Sequence, residues 1–327
     1  MRIGAATPRF CCGVCLNKAE ILIVNKVWPP YMDSLRANFV VHDRTQLEDP
    51  QAFAAVAPRI RAIAATGESK LAAGLLEQLP ALEMISVFGV GYDGVDVAAA
   101  RARGITVSNT PDVLTDDVAD LGMALLLSIA RRIPQADQFV RAGRWPEGPM
   151  ALARKVSGAR LGIVGLGRIG SAIARRAEAF GMAIAYTTRT RVAGCAYPHY
   201  PNAEALAREV DFLMVITPGG AATRGLIDAK VLAALGPKGY LINVARGSVV
   251  DQPALLQAIA NGGIAGAALD VFDDEPHVPA ALRASENVVL TPHMASATWE
   301  TRRAMAELAL GNLQAHFAGH PLLTPVP

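Results

Sequence analysis

The chain has 327 residues, 52% of them hydrophobic and 18% charged, a length for about two domains and a composition that excludes a disordered or fibrous protein. Its 31 basic and 29 acidic residues leave a net charge of +2 with no long basic run, so neither nucleic acid nor a membrane surface is indicated as a partner. The two longest uncharged stretches, 252–269 and 308–327, are interrupted by proline and polar residues and predict no membrane span.

Met1–Lys18 carries Cys11, Cys12 and Cys15. Cys12 and Cys15 form a CxxC, but it precedes the first strand-like run instead of joining a strand to a helix. No further pair of metal ligands lies near it. The segment reads as a loose extension with free thiols. It lacks the long apolar core of an export signal, and a reducing, cytoplasmic setting is expected.

From Ala19 onward, apolar β-prone runs alternate with helical patterns. The first series is AEILIV (19–24), RAIAAT (61–66), EMISVFG (83–89) and ITVSN (105–109), with KLAAGLLEQL (70–79) among the helical stretches. Asn109–Thr110–Pro111–Asp112 predicts a turn, with Asp112 capping the helix that follows. The stretch 112–132 predicts a long helix, stopped near Pro134 and too apolar on too many faces to be solvated along one side. A second helical stretch runs to about Ala142, and RAGRWPEGP (141–149) is a loop. The second series is RLGIVG (160–165), MAIAYTT (182–188), DFLMVIT (211–217), GYLINVA (239–245), GAALDVF (266–272) and NVVLTPH (287–293), and a last helix covers 298–317. Short apolar strands spaced by helices predict an α/β chain of two doubly wound parallel-sheet units.

Gly165–Leu166–Gly167–Arg168–Ile169–Gly170 is a GxGxxG set directly between a strand and a helix, the context that makes it a dinucleotide-binding turn. The first glycine allows the tight turn, the second admits the pyrophosphate to the backbone, and the third lets helix and strand pack closely. The helix N-terminus offers unpaired N–H groups to the phosphates. An NAD-type site places an acid about 20 residues further on, at the end of the next strand. This chain has Thr187, Thr188, Arg189, Thr190 and Arg191 there. Hydroxyls and guanidiniums suit a 2′-phosphate, so NADPH is expected, with NADH weaker.

Three later segments each end a strand and carry one reactive side chain: Arg246 in INVARGSVVD, Glu275 in ALDVFDDEP and His293 in LTPHMASAT. Arg fixes a carboxylate and polarises a ketone, His exchanges the alcohol proton, and Glu favours the imidazolium and holds the ring. Together behind a dinucleotide turn they indicate hydride exchange at a 2-oxo acid.

These segments, with VGYDGVD (90–96) and NTPDVLTDDVAD (109–120), resemble the D-isomer-specific 2-hydroxyacid dehydrogenase family over about residues 19–327. Within it the chain is most similar to NADPH-dependent hydroxypyruvate/glyoxylate and hydroxyphenylpyruvate reductases. The resemblance implies a Rossmann coenzyme domain, 109–293, inserted in a flavodoxin-like substrate domain, 1–108 plus 294–327. It implies His293 as acid/base, Glu275 as its partner, Arg246 on the substrate, and the Val90 and Gly91 amides cradling the substrate carboxylate. It further implies Thr115, Thr217, Val244, Ala245 and Asp270 on the cofactor and a homodimer through the 112–132 helix and the loop carrying Trp145. Trp145 is either a reach into the neighbouring subunit's cleft or an anchor for its own loop. Trp299, beside the histidine segment, has no assigned role. The implied function is reduction of a small 2-oxo acid to the D-2-hydroxy acid. Its alternatives are a hydroxyphenylpyruvate reductase and, from another class, a dinucleotide-sensing interaction protein on the same fold.

Overall fold

The protein is described by a computed structural model covering residues 18–43, 48–71 and 73–327. Cys11, Cys12 and Cys15 lie outside the described residues. Two parallel sheets organise the chain. The first comprises β1 (Glu20–Ile23), β2 (Val40–His42), β3 (Ile60–Thr66), β4 (Met84–Phe88) and β5 (Thr106–Ser108), in the order β2-β1-β3-β4-β5. The second comprises β6 (Arg160–Val164), β7 (Ala183–Thr187), β8 (His199–Tyr200), β9 (Phe212–Val215), β10 (Tyr240–Asn243), β11 (Gly266–Leu269) and β12 (Val288–Leu290). Its order is β12-β11-β10-β9-β6-β7-β8. The first order is flavodoxin-like, and the second reverses direction between β6 and β9, the switch point where such sheets open a crevice at their carboxyl ends.

The central strands read as continuous apolar runs because both faces are covered. MISVF of β4 and FLMV of β9 are buried at every position. The strand-like runs of the sequence all form strands. Edge strands β2 and β8 were not anticipated: at three and two residues they are too short to show a period.

The Trp299–Phe317 helix, last in the chain, returns to the first sheet. Ser86 of β4 donates its hydroxyl to the Ala309 carbonyl at 3.2 Å, and Phe317 packs on Phe39 with ring centroids 5.6 Å apart. Beyond it, the Val326 N–H bonds the Val107 carbonyl at 2.8 Å. Both ends of the described chain thus build one unit around the other.

Two local expectations are corrected. Asp112 does not cap the Thr115–Arg131 helix, whose N-cap is Leu114 with no side-chain bond. Asp112 instead adopts φ 69° and pairs with Arg168 at 2.7 Å. The helix is also not left half-solvated by this chain. Val118, Ala119, Met123, Leu125, Leu126 and Ile129 are all buried within the chain, so its apolarity is accounted for without a partner. The exposed apolar surface lies just after it. No residue from 131 to 155 is buried, and Ile133 (50% exposed), Val140 (53%), Trp145 (68%) and Leu152 (99%) all face outward. Trp145 sits in a short 3₁₀ turn, Trp145–Glu147, and its ring buries little surface against its own loop. Among the described residues no helix is long and apolar enough to cross a membrane.

Candidate active site

The dinucleotide turn forms as its sequence requires. Gly165 has φ 102°, and a Cβ there would come within 2.7 Å of the Ile216 carbonyl oxygen and 3.1 Å of the Thr217 Cα. A Cβ on Gly170 would stand 2.1 Å from the Gly165 carbonyl oxygen, so only glycine lets the helix pack this tightly. A Cβ on Gly167 would meet nothing within 4 Å. Gly167 is the N-cap of the Arg168–Ala179 helix and supplies no side chain, so the first N–H groups carry no side-chain cap. This cradle fits a dinucleotide pyrophosphate. Arg168 borders it, held by Asp112, and Thr115 opens the neighbouring helix.

At the end of β7, Thr187 is buried while Arg189, Thr190 and Arg191 are exposed. The loop is tied internally. Thr188 donates its hydroxyl to the Thr190 carbonyl at 2.7 Å, His199 Nε2 lies 3.1 Å from the Thr188 carbonyl oxygen, and the Val192 N–H donates to the Tyr186 hydroxyl at 3.1 Å. Two guanidiniums therefore project from a stiffened loop, whereas the Thr188 hydroxyl is already engaged.

Three strand ends deliver the reactive side chains. After β10, Asn243 brackets the turn: its amide donates to the Arg246 carbonyl at 3.0 Å and its oxygen accepts from the Ala245 N–H at 3.0 Å. Val244 and Ala245 are buried beneath. Arg246 extends from this turn to the first sheet's loop, donating Nε to Asp93 Oδ1 at 3.1 Å and Nη1 to the Ala245 carbonyl at 2.8 Å. A Cβ on Gly91 would fall 1.7 Å from Arg246 Nη2, so the guanidinium lies directly on the Val90–Gly91 backbone. Gly219 closes the other side, where a Cβ would meet Asp93 Oδ2 at 2.6 Å.

His293 follows β12 with φ 49°, its N–H on the Asp270 carbonyl at 2.8 Å. Asp270 is fully buried and fastens this loop. Its carboxylate accepts from Thr291 Oγ1 at 2.6 Å, the Met294 N–H at 2.9 Å and the Ala295 N–H at 3.0 Å. Burial nonetheless pushes its pKa up, against the help of those bonds and of His293. His293 Nδ1 lies 2.7 Å from Glu275 Oε2, and Glu275 Oε1 accepts from the Phe272 N–H at 2.8 Å. Burial opposes the imidazolium, but the hydrogen bond and charge of Glu275 outweigh it and His293 titrates above its ordinary value. Burial likewise works against the Glu275 anion, which His293 and the Phe272 N–H overcome, leaving Glu275 below its ordinary value. The pair is thus built as imidazolium and carboxylate. With Nδ1 committed to Glu275, Nε2 is the nitrogen left for a substrate.

Sequence reasoning missed two acids here. Asp93, which orients Arg246, stood in the quoted VGYDGVD segment without a role. Glu68, just past β3, brings Oε1 to 3.4 Å from His293 Nδ1. Neither has a local sequence signal, because each meets its partner only across the two sheets. Trp299 is 70% exposed and meets Trp28 edge-on at 5.7 Å. The two line a cavity of about 210 Å³ with Pro30, Ser34, Arg303 and Leu310, which Arg246, Glu275 and His293 do not border.

Comparison with known proteins gives the family. Residues 123–295 match the family model for the D-isomer specific 2-hydroxyacid dehydrogenase NAD binding domain. A glyoxylate/hydroxypyruvate reductase A of Arabidopsis thaliana is 50% identical over 267 residues, 82% of this chain and 85% of that protein. A 2-ketogluconate reductase of Gluconobacter oxydans is 43% identical over 310 residues, 95% of this chain and 99% of that one. Among solved structures, an NADPH-dependent glyoxylate/hydroxypyruvate reductase of Sinorhizobium meliloti, in complex with NADP and malonate, superposes with a TM-score of 0.88. It is 48% identical and covers 94% of this chain and 97% of that one.

Proposed function

The chain belongs to the D-isomer-specific 2-hydroxyacid dehydrogenase family, and from that premise we propose that it reduces a small 2-oxo acid of the hydroxypyruvate or glyoxylate type to the D-2-hydroxy acid with NADPH. The observation that carries this reading is the His293–Glu275 pair at 2.7 Å, set beside an arginine that lies on the Gly91 backbone. Arg246 and the amides of Val90 and Gly91 hold the substrate carboxylate, and Asp93 keeps the guanidinium in place. His293 Nε2 then gives its proton to the ketone oxygen as negative charge develops there. Glu275 holds the ring and stabilises the imidazolium before transfer. Positioning supplies much of the rate, since both reacting groups are fixed by backbone-anchored partners.

Bound NADPH would supply the hydride. Gly165, Gly167 and Gly170 with the Arg168–Ala179 helix would hold its pyrophosphate, and Arg189 its 2′-phosphate. We assign the remaining cofactor contacts to Thr115, Thr217, Val244, Ala245 and Asp270. We assign 109–293 to the coenzyme domain and 1–108 with 294–327 to the substrate domain. We further infer a homodimer in a reducing, cytoplasmic setting, joined through the exposed 131–155 segment that carries Trp145.

Steady-state rates with hydroxypyruvate, glyoxylate and hydroxyphenylpyruvate, each with NADPH and NADH, test the reading. Rapid turnover of either of the first two with NADPH is expected. Preference for hydroxyphenylpyruvate would reassign the substrate, and no turnover of any 2-oxo acid would sink the proposal.

A further inference from the structure

We propose that Glu68 is a second anionic partner of His293, reaching it from the first sheet while Glu275 reaches it from the second. Family resemblance assigns one carboxylate to this histidine; here Nδ1 faces two, Glu275 Oε2 at 2.7 Å and Glu68 Oε1 at 3.4 Å. Glu68 forms no other ion pair among the described residues. The two acids differ in how they are held. Glu275 is fixed by the Phe272 N–H on the same side of the crevice as the histidine. Glu68 stands on the loop after β3, its side chain 58% exposed, so its hold on the ring depends on how the two sheets face each other.

The other charges facing this group are accounted for. Arg246 opposes the imidazolium by its charge, and Asp270 accepts the His293 N–H on its carbonyl with its carboxylate bonded to the loop. Arg302 packs over the Phe88 ring at 5.5 Å within electrostatic reach of Glu68, so it tempers that acid without replacing it. The balance of these leaves Glu68 favouring the protonated ring. Because Glu68 touches the histidine and not the reacting atoms, it is a positioning residue. Its part in the reaction is to keep the acid form of His293 available at higher pH in the reducing direction.

This rests on the reading of His293 as the proton donor, so the test has one arm independent of turnover. The imidazole of His293 is titrated by NMR in the full-length, coenzyme-free protein, its signal identified by its loss in His293→Gln. Glu68→Gln keeps the shape of an exposed side chain and is expected to lower the midpoint by about half to one pH unit. The difference should shrink in 1 M salt, since an exposed charge is screened. The basic limb of kcat/KM for 2-oxo acid reduction, which reports the free enzyme, should move down by the same amount. An unmoved midpoint would overturn the proposal, and if it came with a raised KM, Glu68 would be a substrate contact instead. A wild-type protein without turnover would refute the functional reading alone, leaving the titration to decide the Glu68 contact.

Discussion

On the function proposed, His293 is the proton donor, and its environment dictates how its loss is felt. Replacing it with Ala removes a positioned general acid, and kcat should fall by about 10²–10⁴-fold while NADPH binding is retained. Near-normal turnover from pH 5 to 8 would contradict the role. Reduction needs the imidazolium, whose pKa is raised in the folded protein, so kcat/KM should decline only as pH rises through that raised value. Glu275→Gln removes the chief cause of the elevation, and the decline should move to lower pH. An unchanged profile would mean that another group sets it. On the same proposal, coenzyme choice is assigned to Arg189, exposed just past the end of β7. A charge-assisted bond to the 2′-phosphate is worth about 1.5–3 kcal/mol, or roughly ten- to a hundredfold in affinity. Arg189→Ala should therefore weaken NADPH by that factor and leave NADH little changed, as measured by kinetics with both coenzymes. Equal losses would mean that Arg189 supports the loop. Thr187 is buried, so an acid substituted there would carry its own desolvation cost besides any new ribose contact.

At the scale of elements, the site depends on turns that hold backbone against backbone. The Gly165–Gly170 turn is the tightest of them. In Gly170→Ala the new Cβ would meet the Gly165 carbonyl oxygen at 2.1 Å, and backbone cannot step aside as a side chain does. Overpacking of this kind costs about 1–3 kcal/mol, so thermal unfolding should shift down and NADPH affinity should fall with it. An unchanged melting temperature in calorimetry would mean that the helix shifts freely. The loop carrying His293 is held otherwise, by the buried Asp270 carboxylate gathering three donors. This explains how a non-glycine residue stays at φ 49°.

For the whole molecule, the segment from 131 to 155 is the stretch the rest of the chain leaves uncovered. Ile133, Val140, Trp145 and Leu152 are exposed together there, while the long helix before it is satisfied inside the chain. Clustered apolar exposure of this kind marks an interface. Light scattering at micromolar concentration should give a dimer, and Ile133→Glu with Leu152→Glu should give a folded monomer. A monomeric wild type would place the patch in some other role.

The residues themselves determined the fold class, the coenzyme turn and the Arg, Glu and His set, for one physical reason. A buried parallel strand, a GxGxxG after it and a reactive residue at a strand's end are local patterns, legible within ten residues. Element existence was legible on the same ground, whereas the edge strands β2 and β8 were not, being too short for periodicity and set by pairing alone. Asp112 lost its capping role to Arg168, a partner 56 positions away, and most apolar side chains of the long helix are covered within the chain. Asp93 on Arg246 and Glu68 on His293 are separated from their partners by 153 and 225 positions, and no spacing rule links residues that meet only because two sheets face one crevice. Local order in the sequence chose the chemistry; the packing of one sheet against the other decided which charges surround it.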